Sequence, residues 1–214
     1  MHVISVVSSK GGVGKTTLTS ALAVRACRDS KRVAMVDLDP QASLAAWWAR
    51  RGKTENPSIF TQADTAGEAV DKLSRHGWDW VFIDTPPAFV NLIQDVVLHS
   101  TLAIIPLRAS ALDLIASEDA VLMAREGNIP HLCVINDAEP RWKSTEQARL
   151  YLERGKVPVA KTIITHRAAY LTAMASGKTG FEVDRTDNTK TEIDGLWAEI
   201  ENLLATIKEP VRHA

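Results

Sequence analysis

Ser8-Ser9-Lys10-Gly11-Gly12-Val13-Gly14-Lys15-Thr16-Thr17 decides how the whole chain is read. An apolar, β-branched run, Val3-Ile4-Ser5-Val6-Val7, precedes it, and an alanine- and leucine-rich run from Leu18 to Ala26 follows. Strand, glycine-rich turn and helix, in that order, form the setting in which a phosphate-binding loop works. Glycines let successive backbone N–H groups turn inward around a phosphate, and a helix N-terminus adds partial positive charge. Lys15 is placed to reach β- and γ-phosphates, and the Thr16 hydroxyl to ligate Mg²⁺. The general pattern carries glycine where this chain has Ser9. A second lysine, Lys10, stands instead just ahead of Gly11-Gly12.

The bulk composition leaves room for one globular α/β unit. A chain of 214 residues, 45% apolar and 24% charged, can bury a full core, and residues 1–214 read as a single domain. A net charge of −1 excludes a globally basic nucleic-acid binder but not a local basic patch. Cys27 and Cys133 have neither disulfide-framework nor metal-ligand spacing and read as reduced core residues. The first strand begins at once, without a signal-peptide layout, and no apolar run approaches the ~20 residues that span a bilayer. The expectation is a cytoplasmic protein.

Apolar runs alternate with helix-period segments, which predicts a mostly parallel, twisted sheet with helices on both faces. Arg32 to Asp37 is a buried-strand pattern ending in acid; Ser43 to Arg51 is a short helix carrying Trp47 and Trp48. Pro57 to Thr61 is a weak strand, and Thr65 to His76 is a helix with Ala66, Ala69, Val70 and Leu73 on one stripe. Trp78 to Asp84 is a third strong strand, again ending in acid and stopped by Pro86-Pro87. Phe89 to His99, Ser110 to Glu126, Ser144 to Arg154, Ala168 to Ser176 and Thr189 to Ile207 read as helices. Leu102 to Pro106 and His131 to Asn136 read as strands, and Val157 to Ala160 and Thr162 to Ile164 as further apolar stretches. Gly177 to Asn188 is the loosest segment, polar and turn-rich.

Open α/β sheets bind ligands at the carboxyl ends of their strands. The loop after the first strand, Asp37 and Asp39 after the second, and Asp84 after Val81-Phe82-Ile83 all belong to that edge. Asp84 suits a Mg²⁺-organising carboxylate acting through water, because Mg²⁺ keeps much of its hydration shell. Phosphoryl transfer to water also needs a group that orients the attacking water, and Asp37 or Asp39 can supply it. Strand-terminal aspartates are often only turn formers, and a lone glycine-rich loop with lysine arises by chance. Here the loop, its context and two acid-ended strands agree.

Lys10 to Thr17, Val36-Asp37-Leu38-Asp39-Pro40-Gln41-Ala42-Ser43 and Phe82-Ile83-Asp84-Thr85-Pro86-Pro87 resemble the deviant Walker A, A′ and B motifs of the ParA/MinD ATPases. The resemblance to ParA-type partition proteins continues through Pro106 to Leu114, Val134-Ile135-Asn136 with Pro140-Arg141, Pro158 to Thr162 and Arg167 to Tyr170. It spans nearly the whole chain and implies a P-loop fold that binds ATP with Mg²⁺ and forms a nucleotide-sandwich homodimer. By that resemblance Lys10, Gly11, Gly12, Val13, Gly14, Lys15, Thr16 and Thr17 cradle the phosphates, with Lys10 reaching the partner subunit's nucleotide. Asp39 is the acid needed for hydrolysis, Asp37 lies near the metal held by Thr16 and Asp84, and Asn136 and Pro140 lie near the adenine. A second positive charge at the γ-phosphoryl would act as an arginine finger does, present only when two subunits meet.

The resemblance further implies non-specific DNA binding by the ATP dimer, in the nucleoid, and a ParB-like or cargo-adaptor protein that stimulates slow hydrolysis. Lys143, Arg149, Arg154, Lys156, Arg167, Lys178 and Arg185 are the candidate DNA residues, although a plain solvated surface explains such a balance of charge as well. Arg167 also suits a structural role, capping a helix or pairing with an acid. Dimerisation doubles any weak patch and makes DNA affinity conditional on ATP. The alternative is a MinD-like membrane-associated positioning ATPase, which requires a basic amphipathic C-terminal helix. The helix after Thr189 has the apolar stripe but an acidic polar face, and the tail from Lys208 contains Pro210. An iron–sulfur-bridged reductase component would need cysteines on the nucleotide face, and a scaffold that does not turn nucleotide over would not need both Asp37 and Asp39.

Overall fold

The computed structural model describes residues 1–87, 90–139 and 143–207. Strands β1 (His2–Val6), β2 (Val33–Asp37), β3 (Ser58–Phe60), β4 (Trp80–Asp84), β5 (Leu102–Leu107) and β6 (His131–Ile135) form one sheet. Their order is β3-β2-β4-β1-β5-β6, and every pair is parallel. Every residue of β2, β4, β5 and β6 is buried, because helices cover both faces and no strand needs a polar side.

Alternation within each strand sorts the core into two layers. Ile4, Val6, Met35, Phe82 and Ile104 face α1 (Lys15–Arg28), α2 (Ser43–Arg50), α7 (Ala168–Ala175), α8 (Gly180–Val183) and α9 (Asn188–Thr206). Val3, Val36, Ile83, Ile105 and Ile135 face α3 (Ala66–Ser74), α4 (Val90–Leu98), α5 (Ala111–Glu126) and α6 (Lys143–Arg154). The first layer holds an aromatic anchor: Trp197 of α9 lies 4.6 Å from Trp80 of β4, centroid to centroid. Its indole N–H donates to Asp29 Oδ2 at 3.0 Å.

The α9 stripe of Ile193, Leu196, Trp197, Ile200 and Leu204 is buried in that layer. Three of its acids are used internally: Asp194 pairs with Arg25, Glu192 with Arg167, and Glu199 accepts the N–H groups of Lys161 and Thr162. Among the described residues no helix is long and apolar enough to cross a membrane. The tail from Lys208 and the start of the predicted helix at Phe89 lie outside the described residues.

The structure differs from the sequence expectation after Gly177. The polar stretch after Gly177 is not a loose loop: it holds α8, closed by a capping box in which Thr179 and Glu182 exchange bonds. Glu182 also takes two bonds from Arg51, at 2.8 and 2.9 Å, which tie the segment to the end of α2. The apolar stretches from Val157 to Ile164 form no strand of their own. They run beside β6 with isolated parallel bridges, Cys133 to Val159 and Ala138 to Thr165. The Lys161 and Thr162 amides instead turn toward Glu199.

Candidate functional site

The register of the sheet brings the site together. Asp37 at the end of β2 stands beside Asp84 at the end of β4, and Asp84 stands beside Val6 at the end of β1. The loop leaving β1 therefore emerges directly over both acids. Gly12 and Gly14 take φ of +72° and +89°, the left-handed region that side chains disfavour. At Gly14 a Cβ would also lie 2.3 Å from the Asn136 amide nitrogen. α1 begins at Lys15 with no side-chain cap and no acid in its first turn. Its orphan N–H groups and positive dipole end are left for an anion.

Lys15 is 7% exposed, and its ammonium folds back across the loop to donate to Lys10 O at 2.9 Å. Burial lowers its pKa, and the charges of Asp84 and Asp39 oppose that shift. The Thr16 hydroxyl donates to Asp84 Oδ2 at 2.6 Å. Asp84 is fully buried, and burial outweighs that bond and pushes its carboxyl up to about 7. Its other oxygen, Oδ1, has no hydrogen-bond partner among the described residues. A buried oxygen without a donor, beside a hydroxyl and a second carboxylate, is an all-oxygen set that fits a hard cation such as Mg²⁺. Among the described residues no group of three or more His, Cys, Asp or Glu side chains converges as a metal cage.

The two acids of the second strand end do different work. Asp37 is buried; its Oδ1 accepts from Asp39 N at 3.1 Å and its Oδ2 from Ala45 N at 2.9 Å. Burial raises its pKa against those bonds. It thereby ties the turn to the first turn of α2. Asp39 is only half-buried, holds Gln41 N at 2.9 Å, and lines a cleft of about 330 Å³ with Asp37 and Pro40.

Lys10 is half-exposed at the loop's rim, and among the described residues its ammonium has no hydrogen-bond or ion-pair partner. Ser9 fixes the loop to α5 by donating to Ala116 O at 2.9 Å. Large apolar side chains surround this edge in the open: Leu112 and Ile115 of α5 are 69% and 60% exposed, and Leu171 of α7 is 70% exposed.

A second cleft, of about 250 Å³, opens on the loop's other side between Gly12, Gly14 and Thr17, Asn136, and the start of α7. Asn136 lines this cleft, 6% exposed and donating to Val13 O at 2.6 Å. Pro140 lies outside the described residues. Among the ionisable lining residues, Arg108, Asp137 and His166 have no assigned part in the sequence reading. The signal available was position, since Arg108 and Asp137 follow the ends of β5 and β6 at the level of the loop.

The proposed DNA residues belong to two regions of the fold. Lys143, Arg149 and Arg154 lie on α6, with Lys156 just beyond it, on one side of the sheet. Arg167, Lys178 and Arg185 belong to the α7–α9 region on the other. Arg167 is committed internally, donating to Glu192 Oε1 at 2.8 and 3.0 Å, and it occupies the N-cap position of α7. Cys27 and Cys133 are free thiols, each pushed up to about 12 by burial, and neither belongs to the nucleotide edge.

Comparison with known proteins finds similarity along most of the chain. The family described as the CobQ/CobB/MinD/ParA nucleotide binding domain matches residues 4–181. The maintenance of carboxysome distribution protein A of Halothiobacillus neapolitanus is 30% identical over 206 residues, covering 92% of this chain and 95% of that protein. Protein ParA of Rhizobium radiobacter is 28% identical over 181 residues, covering 79% and 81%. Among solved structures, the septum site-determining protein MinD of Pyrococcus horikoshii, complexed with Mg-ADP, superposes with a TM-score of 0.74 at 19% identity. That similarity covers 96% of this chain and 99% of the other and establishes the shared fold.

Proposed function

The chain belongs to the CobQ/CobB/MinD/ParA nucleotide-binding family, and we propose that it is an ATP-hydrolysing positioning protein whose site is completed by a second copy of itself. Lys15 and the backbone of Gly11 to Thr17 hold the phosphates, and Thr16, Asp84 and Asp37 hold Mg²⁺. Bound Mg²⁺ would neutralise charge on the β- and γ-phosphates. Asp39, the half-buried acid that lines an open cleft, orients the attacking water. Lys10 of the partner subunit supplies the second positive charge at the γ-phosphoryl. The adenine end occupies the cleft beside Asn136, toward Pro140.

The observation that carries the dimer is the rim of the site. The unpaired Lys10 ammonium and the exposed Leu112, Ile115 and Leu171 share the nucleotide edge. Exposed apolar side chains clustered at one edge mark association surfaces in soluble proteins. ATP would supply the charge that Lys10 lacks, so association would follow nucleotide state, and hydrolysis would release it.

The cargo reading follows the relatives. Similarity along almost the full length of a carboxysome-distribution protein supports a large protein assembly as cargo, and similarity to a ParA protein keeps plasmid partition as the second reading. In either case the ATP dimer would hold non-specific DNA in the cytoplasm, and a cargo-bound adaptor would stimulate hydrolysis. A MinD-like membrane role finds no support in α9, whose apolar stripe is buried. The test is DNA retention with ATP, with ADP and without nucleotide, in parallel with a measurement of molecular mass. Retention and dimer mass should appear together, with ATP only, and retention should fall steeply with salt. DNA retention that ignores nucleotide would overturn the coupling.

A further inference from the structure

A phosphate loop works only if its N–H groups point inward, and the planar trans peptide links that orientation to a carbonyl. The C=O of one residue and the N–H of the next point in opposite directions across the same plane. A donor that holds a loop carbonyl outward therefore aims the following N–H inward. Asn136 does this at Val13 O, at 2.6 Å, and so aims the Gly14 N–H. Arg108 does the same one residue earlier, donating from a terminal guanidinium nitrogen to Gly12 O at 2.5 Å.

Arg108 is itself held. Its Nε lies 3.0 Å from Asp137 Oδ2, and Asp137 Oδ1 lies 2.6 Å from His166 Nδ1. Asp137 sits in the left-handed region, at φ +55°, immediately after Asn136. The turn after β6 thus presents Asn136 to the loop and Asp137 to the arginine that braces the loop's neighbouring peptide. A guanidinium suits this double task, since its rigid fork bonds a carboxylate and a carbonyl at once where a lysine is a single point charge.

We propose that Arg108 is a positioning residue for the phosphate loop: held by Asp137, it fixes the Gly12 carbonyl and turns the Val13 N–H toward the bound phosphate. The inference rests on the nucleotide-binding reading above. It assigns Arg108 to phosphate affinity, not to the base and not to the hydrolytic step.

The test is nucleotide titration of wild type, Arg108→Ala and Arg108→Lys by calorimetry with ADP and with adenosine, together with steady-state ATP hydrolysis. Arg108→Ala should weaken ADP binding about tenfold, the equivalent of ~1.4 kcal/mol, and raise KM for ATP with kcat little changed. Arg108 also lines the cleft beside Asn136, so adenosine affinity should fall by much less than ADP affinity rather than by an equal factor, and Arg108→Lys should recover part of the ADP affinity. Equal losses for ADP and adenosine would place Arg108 at the base or sugar and overturn the inference, as would unchanged ADP affinity in Arg108→Ala. Wild-type protein that binds neither ADP nor ATP would instead overturn the proposed function itself.

Discussion

The Thr16 hydroxyl donates to Asp84 Oδ2 across 2.6 Å, while Asp84 Oδ1 is buried without a donor among the described residues. A carboxylate taken out of water with half its acceptors unmet destabilises the fold that contains it. The cost is tolerable where a cation and its phosphates complete the shell. Asp84→Asn should therefore raise the melting temperature of the ligand-free protein and remove the extra rise that Mg²⁺ gives over ATP with a chelator. Differential scanning fluorimetry with and without Mg²⁺ reads both effects. A ligand-free variant that melts below wild type, with the Mg²⁺ increment intact, would show that Asp84 is a structural residue.

The pair between Arg51 and Glu182 tests whether α8 is a built part of the fold. The two side chains are 16% and 23% exposed. Burial raises the Glu182 pKa, but the bonds from Arg51 and from the Thr179 N–H outweigh it and hold the group below its ordinary 4.5. A depressed carboxyl pKa contributes stability above the unfolded value and loses it as pH falls through the folded one. Glu182→Gln should cost about 1.5–3 kcal/mol at neutral pH, the range for hydrogen bonds to charged groups. The difference from wild type should shrink as pH drops below about 4.5, the group's ordinary value. Urea denaturation at neutral pH and near pH 3.5 measures it, and a difference independent of pH would assign the loss to something other than the charge.

His166 gives a spectroscopic view of the cleft beside the loop. Its bond to Asp137 and that residue's charge, with a lesser contribution from Glu139, hold its pKa above the ordinary 6.5, against desolvation and, less strongly, the nearby Arg108. The sign is opposite to that of Glu182: the raised pKa contributes stability below the unfolded value and loses it as pH rises through the folded one. NMR titration of the imidazole should place the midpoint above 6.5 in wild type. Asp137→Asn should bring it back toward that value, and Arg108→Ala should raise it further. A wild-type midpoint at or below 6.5 would contradict the Asp137 contact.

What the sequence made legible was whatever lies within one segment. The loop, the acid-ended strands and the apolar stripes carry their period or motif locally, so Lys15, Thr16, Asp37 and Asp84 were found with the strands that present them. Arg108 was not found, because its partners Gly12 and Asp137 lie on other segments and meet it only through the β1–β5–β6 order of the sheet. α8 was passed over for a different reason. Its polar composition hid a Thr-x-x-Glu capping box at Thr179 and Glu182, a signal that was present and outweighed by Gly177 and the turn-forming residues around it. The placement of the seven basic residues was not legible either, because neither a resemblance nor their charge says which side of the sheet each helix covers.

The central claim is that Lys10 completes the site of a second subunit, and one measurement tests it most directly: the mass in solution of Asp39→Ala and of Asp39→Ala/Lys10→Ala, each saturated with Mg-ATP. Asp39→Ala should bind ATP without turning it over and should run as a dimer with ATP and a monomer with ADP. Adding Lys10→Ala should return the ATP-bound protein to monomer while its ATP affinity as a monomer stays close to that of the single variant. A double variant that remains dimeric, or that loses ATP binding to the same extent as dimerisation, would contradict the account.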